Sequence, residues 1–372
     1  MTIEKCTIAA LLLVVSLMPS AHAQGRITDF NPKEEVLPIL LSARADGSAW
    51  YSPSGIKPLT LLHFSDLHGS DVNLRRIVQF RDEYSEYIAD AIHAGDVVDC
   101  YFDDHNPWET VDGARNMINV IGNHDCWKGH KTWAQTDIPY DATAEDVYPV
   151  FIAPYVDMWN VCQPSGVGDK HSKYYSACYF YKDYPDSKIR AVFLDCMHYD
   201  NVQDEWFKDV LSEASAKSYA VVGIQHYAPQ TGLQCIESGF STKPSIEATD
   251  PAPVQIQCMR DQAFCTLDTF ISEGGQFICW LGGHEHADYI GYIPGHGRQL
   301  QILVDKAGVM DKYIHEDRTP GTVNEDAFNL LTINPTKNLL VIQRIGCKVG
   351  PNMQGKSLFC YDYVTHNVIV NK

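Results

Sequence analysis

Short apolar runs that each stop at one or two polar side chains recur along the middle of the chain. Leu61, Leu62 and Phe64 precede Asp66 and His68; Ile88 to Ile92 precede Gly95, Asp96 and Asp99; Ile118 to Ile121 precede Gly122, Asn123, His124 and Asp125. Tyr219 to Val222 lead into Gly223 and His226, and Phe277 to Leu281 into Gly283, His284 and His286. Apolar runs of this length, closed by polar residues and glycine, read as buried strands, and glycine at such an end lets backbone approach a bound group. Asp66 and His68, two positions apart, point the same way off an extended chain, so a hard oxygen and an imidazole nitrogen can share one cation. Each pair alone is commonplace. The whole series aims metal-type ligands at a single rim.

Between these runs the spacing turns helical. Leu74, Ile77 and Val78 predict a helix after the first strand, and Trp108, Val111 and Ala114 a short one before the third. Trp206, Phe207, Val210, Leu211 and Ala214 form the clearest amphipathic stripe, and Phe264, Leu267 and Ile271 a further one. Repeated strand, loop and helix units imply a largely parallel central sheet with ligands at its carboxyl rim. Strands are also expected over Tyr174 to Tyr181 and Ile189 to Leu194, about a turn at Asp183 to Asp186. Later come Leu300 to Val304, Phe328 to Ile333, Leu339 to Ile345 and Leu358 to Val370, with Asn334 to Asn338 closing a hairpin, and these complete a second sheet packed on the first. Two stretches, near 126–173 and 227–257, lack clear periodicity. The first is rich in aromatics (Trp127, Trp133, Tyr140, Tyr148, Tyr155, Trp159) and reads as part of a substrate wall.

The amino end alters the picture. Lys5, the apolar run Thr7 to Met18 and then Ala21-His22-Ala23 have the order of a secretory leader over 1–23, cleaved after Ala23. Its core is shorter than the roughly 20 residues of a bilayer span, so a secreted or periplasmic protein without a stable membrane anchor is expected. Residues 24–57 form an extension, and 58–372 one domain carrying both insertions, since no linker divides it. The formal charge of -18 is spread along all 372 residues, which disfavours duplex nucleic acid and leaves small phosphorylated substrates open. Of 12 cysteines, Cys6 leaves with the leader; Cys178, Cys196 and Cys279 sit in apolar runs as small buried residues, and Cys235 and Cys258 could pair. Histidines outside the series, among them His63, His93 and His198, read as core or surface residues.

Asp66-x-His68, Gly95-Asp96-x-x-Asp99, Gly122-Asn123-His124-Asp125, Gly223-x-x-His226 and Gly283-His284-x-His286, in that order, resemble the calcineurin-like metallophosphoesterases from about Leu59 to about His286. The resemblance implies an α/β fold, a two-sheet β-sandwich flanked by helices. It implies two divalent metal ions, Mn, Fe or Zn by their oxygen and nitrogen ligands, with Asp96 as the bridge. Asp66, His68 and His286 would hold one ion, and Asn123, His226 and His284 the other. The activity implied is hydrolysis of a small phosphomonoester or phosphodiester by metal-activated hydroxide. His124 then serves as the group that stabilises the phosphoryl or protonates the leaving oxygen, and Asp99 orients it. Purple acid phosphatases carry an iron-binding Tyr where this chain has Asp99. Asp125 reads as a supporting residue. Two rivals stand beside an active enzyme: an inactive member acting as a binding module, and a protein whose metals are structural.

Overall fold

The apolar runs assemble into two seven-stranded sheets. The computed structural model describes residues 55–100, 105–127, 142–227, 234–235, 254–284, 286, 288–293, 295–296, 299–308, 318, 325–347 and 358–371, with backbone alone at 234–235, 254–260 and 370–371. The leader, nearly all of the 24–57 extension, Trp133, Tyr140, most of 227–257 and the Cys235–Cys258 pairing lie outside the described residues or side chains. No helix among the described residues is long and apolar enough to cross a membrane.

In chain order the elements are β1 (Leu59–Phe64), α1 (Asp71–Glu83), β2 (Asp90–His93), α2 (Pro107–Thr110), β3 (Ile118–Asn119), α3 (Ala144–Phe151) and α4 (Val156–Trp159). Then come β4 (Phe180–Tyr184), β5 (Ile189–Phe193), α5 (Asn201–Ala216), β6 (Ala220–Ile224), β7 (Gln234–Cys235), α6 (Val254–Ser272), β8 (Phe277–Gly282), β9 (Tyr289–Tyr292) and β10 (Leu300–Leu303). The chain closes with β11 (Ala327–Asn334), β12 (Leu339–Gly346), β13 (Leu358–Asp362) and β14 (Asn367–Asn371).

The first sheet runs β14-β13-β12-β11-β1-β2-β3 and the second β4-β5-β6-β8-β10-β9-β7. The expected central parallel sheet is therefore split. β1, β2 and β3 are parallel in one sheet, and β5, β6, β8 and β10 in the other. Of the late strands only β10 joins the second sheet as expected; β11 pairs antiparallel with β1, and β11 to β14 extend the first. Alternation along the second sheet shows why two layers form. Ile189, Ala191 and Phe193 of β5 join the core between the sheets, while Val192 faces α5 and α6 with Trp206, Phe207, Leu267 and Trp280. Across the first sheet Phe64 stacks on Trp108 of α2 and Phe80 of α1 meets Phe328. Helices thus cover both outer faces, and each fully buried Val, Leu, Ile or Phe contributes about 1.5–3 kcal/mol.

Local chemistry sets several boundaries that spacing missed. The helix expected through Ala114 stops at Thr110, because Gly113 takes φ +85° and a 3-10 turn at Ala114–Asn116 follows. Leu358 to Val370 is two strands, since Asp362 Oδ1 accepts the N–H of Val364 (2.9 Å) and Thr365 (2.7 Å) and folds the chain back. Tyr174 lies in a turn that Ser172 Oγ caps, so β4 starts only at Phe180. Within the aromatic insertion, Tyr155 and Trp159 are buried and pack toward Phe180, which makes them core rather than wall. α3 there opens on a capping box between Thr143 and Asp146.

Candidate metal centre

The parallel strands of both sheets end on one rim, and the loops that leave them bring together every ligand residue singled out above. Asp66 and His68 follow β1, Asp96 and Asp99 follow β2, Asn123 and His124 follow β3, His226 follows β6, and His284 and His286 follow β8. Asp66 and His68 do not converge by lying on an extended chain. Both take left-handed backbone (φ 56° and 46°), as do Asp96 (61°), His284 (71°) and His286 (48°). Non-glycine residues held there store about 1–3 kcal/mol each, a cost found at sites that the surrounding fold enforces.

Two clusters face each other. In one, His68 Nε2 and His286 Nε2 approach to 3.1 Å, and Asp66 Oδ1 lies 3.3 Å from His286 Nε2 and 3.9 Å from His68 Nε2. In the other, Asn123 Oδ1 lies 3.0 Å from His226 Nε2 and 2.9 Å from His284 Nδ1. Asp96 stands between them, with Oδ2 at 3.1 Å from His226 Nε2 and 3.9 Å from His68 Nε2. That oxygen is buried and, among the described residues, takes no main-chain or hydroxyl donor, its neighbour being the His226 imidazole, while Oδ1 accepts the N–H of His124 at 2.9 Å. A buried anionic oxygen costs several kcal/mol unless positive charge meets it, which the His226 imidazole or a bound ion can supply.

Electrostatics agree with cation binding. Burial pushes His226 down, but the Asp96 carboxylate overrides it and holds the imidazole up at about 9, so Nε2 sits in a field that draws positive charge. Burial, then the charge of His226, pushes His284 down to about 3, and burial, then Lys306, holds His68 well below its usual value. Both rings are neutral and can offer lone pairs. For Asp66, burial alone would raise the carboxyl, but contacts with His286 outweigh it and keep the group well below the carboxylate range. Two carboxylates, four imidazoles and one amide oxygen, with no thiolate, suit a pair of divalent ions.

Supporting contacts hold these donors. His226 Nδ1–H donates to the carbonyl of Ala94 at 2.7 Å, and a Cβ at Gly95 (φ +99°) would meet that nitrogen at 2.5 Å, which explains the glycine. Gly223 has another reason to lack a side chain: Trp280 of β8 occupies the space. Burial, then the Asp96 charge, pushes Asp125 up to about 7; its carboxylate accepts four main-chain N–H groups, from Gly122, Asp96, Val97 and Val98. The Asp99 carboxylate bonds His68 Nδ1 at 2.6 Å, whereas His124 Nδ1 donates to the carbonyl of Asp99 at 2.8 Å. His124 packs edge-on to His68 and to Trp127.

Sequence reading passed over Tyr227, whose buried ring lies 4.3 Å from that of His284, and Lys306, buried on the loop after β10. Ala307 and Gly308 of that loop donate N–H to Ser65 O and Asp66 O. A signal was present in Leu300 to Gly308, an apolar run closed by charged residues and glycine like the ligand loops.

The sequence matches the calcineurin-like phosphoesterase family over residues 59–288. No curated protein sequence matches the chain. Among solved structures, a dimetal phosphatase from Danio rerio is similar at 13% identity and TM-score 0.48, covering 78% of this chain and 96% of that one. A purple acid phosphatase from yellow lupin (Lupinus luteus) seeds is similar at 14% identity and TM-score 0.46, covering 84% of this chain and 55% of that one. With a match that spans more than half its length and takes in every ligand loop, the chain belongs to the calcineurin-like phosphoesterase family.

Proposed function

We propose that the protein is an exported phosphoesterase that hydrolyses a small phosphomonoester or phosphodiester at a two-ion centre. The observation that carries this reading is the place of Asp96 Oδ2, a buried carboxylate oxygen set between two clusters of oxygen and nitrogen donors, 3.1 Å from His226 Nε2 and 3.9 Å from His68 Nε2. Asp66, His68 and His286 would hold one divalent ion and Asn123, His226 and His284 the other, with Asp96 placed to serve both. When bound, such ions activate water and neutralise phosphoryl oxygens.

The chain supplies the rest. His124 is tethered at both ends, by its N–H to Asp96 and by Nδ1–H to Asp99 O, so its ring is fixed beside the cluster of His68. In that position it can stabilise the phosphoryl group or give a proton to the leaving oxygen. Trp127, edge-on to His124 at 5.2 Å between ring centres, offers an apolar wall to the leaving group. The charge of -18 keeps long polyanions away and favours a small substrate. Export rests on the leader-like run Thr7 to Met18 with Ala21-His22-Ala23.

Purified protein loaded with Mn or Zn and offered a panel of mono- and diesters tests the activity and its class. Asp96→Asn should abolish ion uptake and turnover together; persistent hydrolysis of an aryl phosphate by that variant would refute the bridge. A wild-type protein that binds ions and phosphate esters but turns none over would be a binding module instead.

A further inference from the structure

The geometry points to Asp99 as a positioning residue whose carboxylate acts on the ligand His68, while its carbonyl accepts from His124. The inference rests on the two-ion reading above and separates two roles that one residue plays. His68 has two ring nitrogens. Nδ1 lies 2.6 Å from Asp99 Oδ1, a bond that places the ring hydrogen on Nδ1 and leaves the lone pair on Nε2. Nε2 is the atom that faces His286 Nε2, Asp66 Oδ1 and Asp96 Oδ2. A carboxylate behind a ligand histidine fixes the tautomer and the ring plane and makes the donor nitrogen more basic.

The other half of the centre is built differently. His226 donates Nδ1–H to the carbonyl of Ala94, a neutral partner. The half with Asp66, His68 and His286 therefore has a charged group behind a histidine where its neighbour has a peptide oxygen, and the two ion sites differ in strength for a reason outside their direct ligands. His124 Nδ1 donates to the Asp99 carbonyl, which any residue at that position would supply.

The test uses protein stripped of ions and titrated with Mn2+ or Co2+ alone, in wild type, Asp99→Ala and Asp99→Asn. Wild type should show two uptake steps. Asp99→Ala should weaken one of them by about 10–100-fold and leave the other in place, with Asp99→Asn between, since an amide oxygen accepts the Nδ1–H without the charge. Nitrogen-15 resonances of His124 should keep its Nδ1 protonated in all three proteins. Two wild-type steps that Asp99→Ala leaves unmoved, or weakens equally, overturn this inference alone, as does a changed His124 tautomer. A wild-type protein that takes up no ion overturns the two-ion reading and this inference with it.

Discussion

Asp125 accepts the main-chain N–H of Asp96 at 3.1 Å, and through that contact one ligand loop holds another. Oδ2 is shared with the N–H of Gly122 on its own loop, and Oδ1 takes those of Val97 and Val98. Both oxygens are buried and both are needed. Asp125→Asn would turn an amide NH2 toward two N–H donors, so it should cost about 2–4 kcal/mol in denaturant unfolding and loosen Asp96 and Asn123 together. A loss below about 1 kcal/mol would show that other contacts hold these loops.

Ion removal should be visible without any substrate. Ions that bind the folded state and not the unfolded chain add about 2.7 kcal/mol at 100 times their dissociation constant. In this centre they would also meet the buried Oδ2 of Asp96 in place of the His226 proton. A chelator should lower the melting temperature and Mn or Zn should restore it, measured by calorimetry. Identical melting with and without chelator would count against ions at the centre.

The ligand loops were legible because each ends an apolar run with a carboxylate, amide or imidazole beside a glycine, and that order survives whatever the sheets do. Strand order was not, since pairing β11 with β1 joins segments near opposite ends of the chain, and no local pattern records it. The means of convergence was hidden as well. Asp66 and His68 meet through left-handed turns, which the loop enforces and residue type does not announce. For the same reason Asp99 could be placed at the site but not aimed: its carboxylate goes to His68, while its carbonyl goes to His124. Tyr155 and Trp159 looked like substrate wall because their stretch lacks periodicity, yet the capped α3 beside them lends order that only packing reveals.

His198, read from sequence as an ordinary structural histidine, ties the loop after β5 to the base of the insertion. Nδ1 donates to Asp195 Oδ2 at 2.8 Å and Nε2 to the carbonyl of Ala142 at 2.8 Å, so both nitrogens carry hydrogen and the ring is cationic. Burial opposes the charge, but Asp195 outweighs it and raises the group to about 9. A histidine with a raised folded value adds stability that is complete below its unfolded value of about 6.5 and fades as pH rises through about 9. The loss should be about 1–3 kcal/mol. Urea unfolding at intervals from pH 6 to pH 10 should show wild type losing its advantage over His198→Gln across that window. A constant gap would mean that the ring is neutral.

His124→Ala separates binding from chemistry. The substitution removes the ring, while the main-chain N–H that bonds Asp96 Oδ1 at 2.9 Å remains, so ion content should match wild type by elemental analysis. If the ring gives the proton to the departing oxygen, turnover should fall by about 100- to 10,000-fold. The fall should depend on the ester. An aryl phosphate with an acidic phenol leaves without protonation and should lose least; an alkyl ester, whose alkoxide cannot leave unprotonated, should lose most. Equal losses across the series would assign His124 to phosphoryl stabilisation instead, because that contact is felt whatever group departs. No loss with any ester would place the ring outside the reaction, leaving its two tethers as a device for holding the Asp99 loop against Asp96.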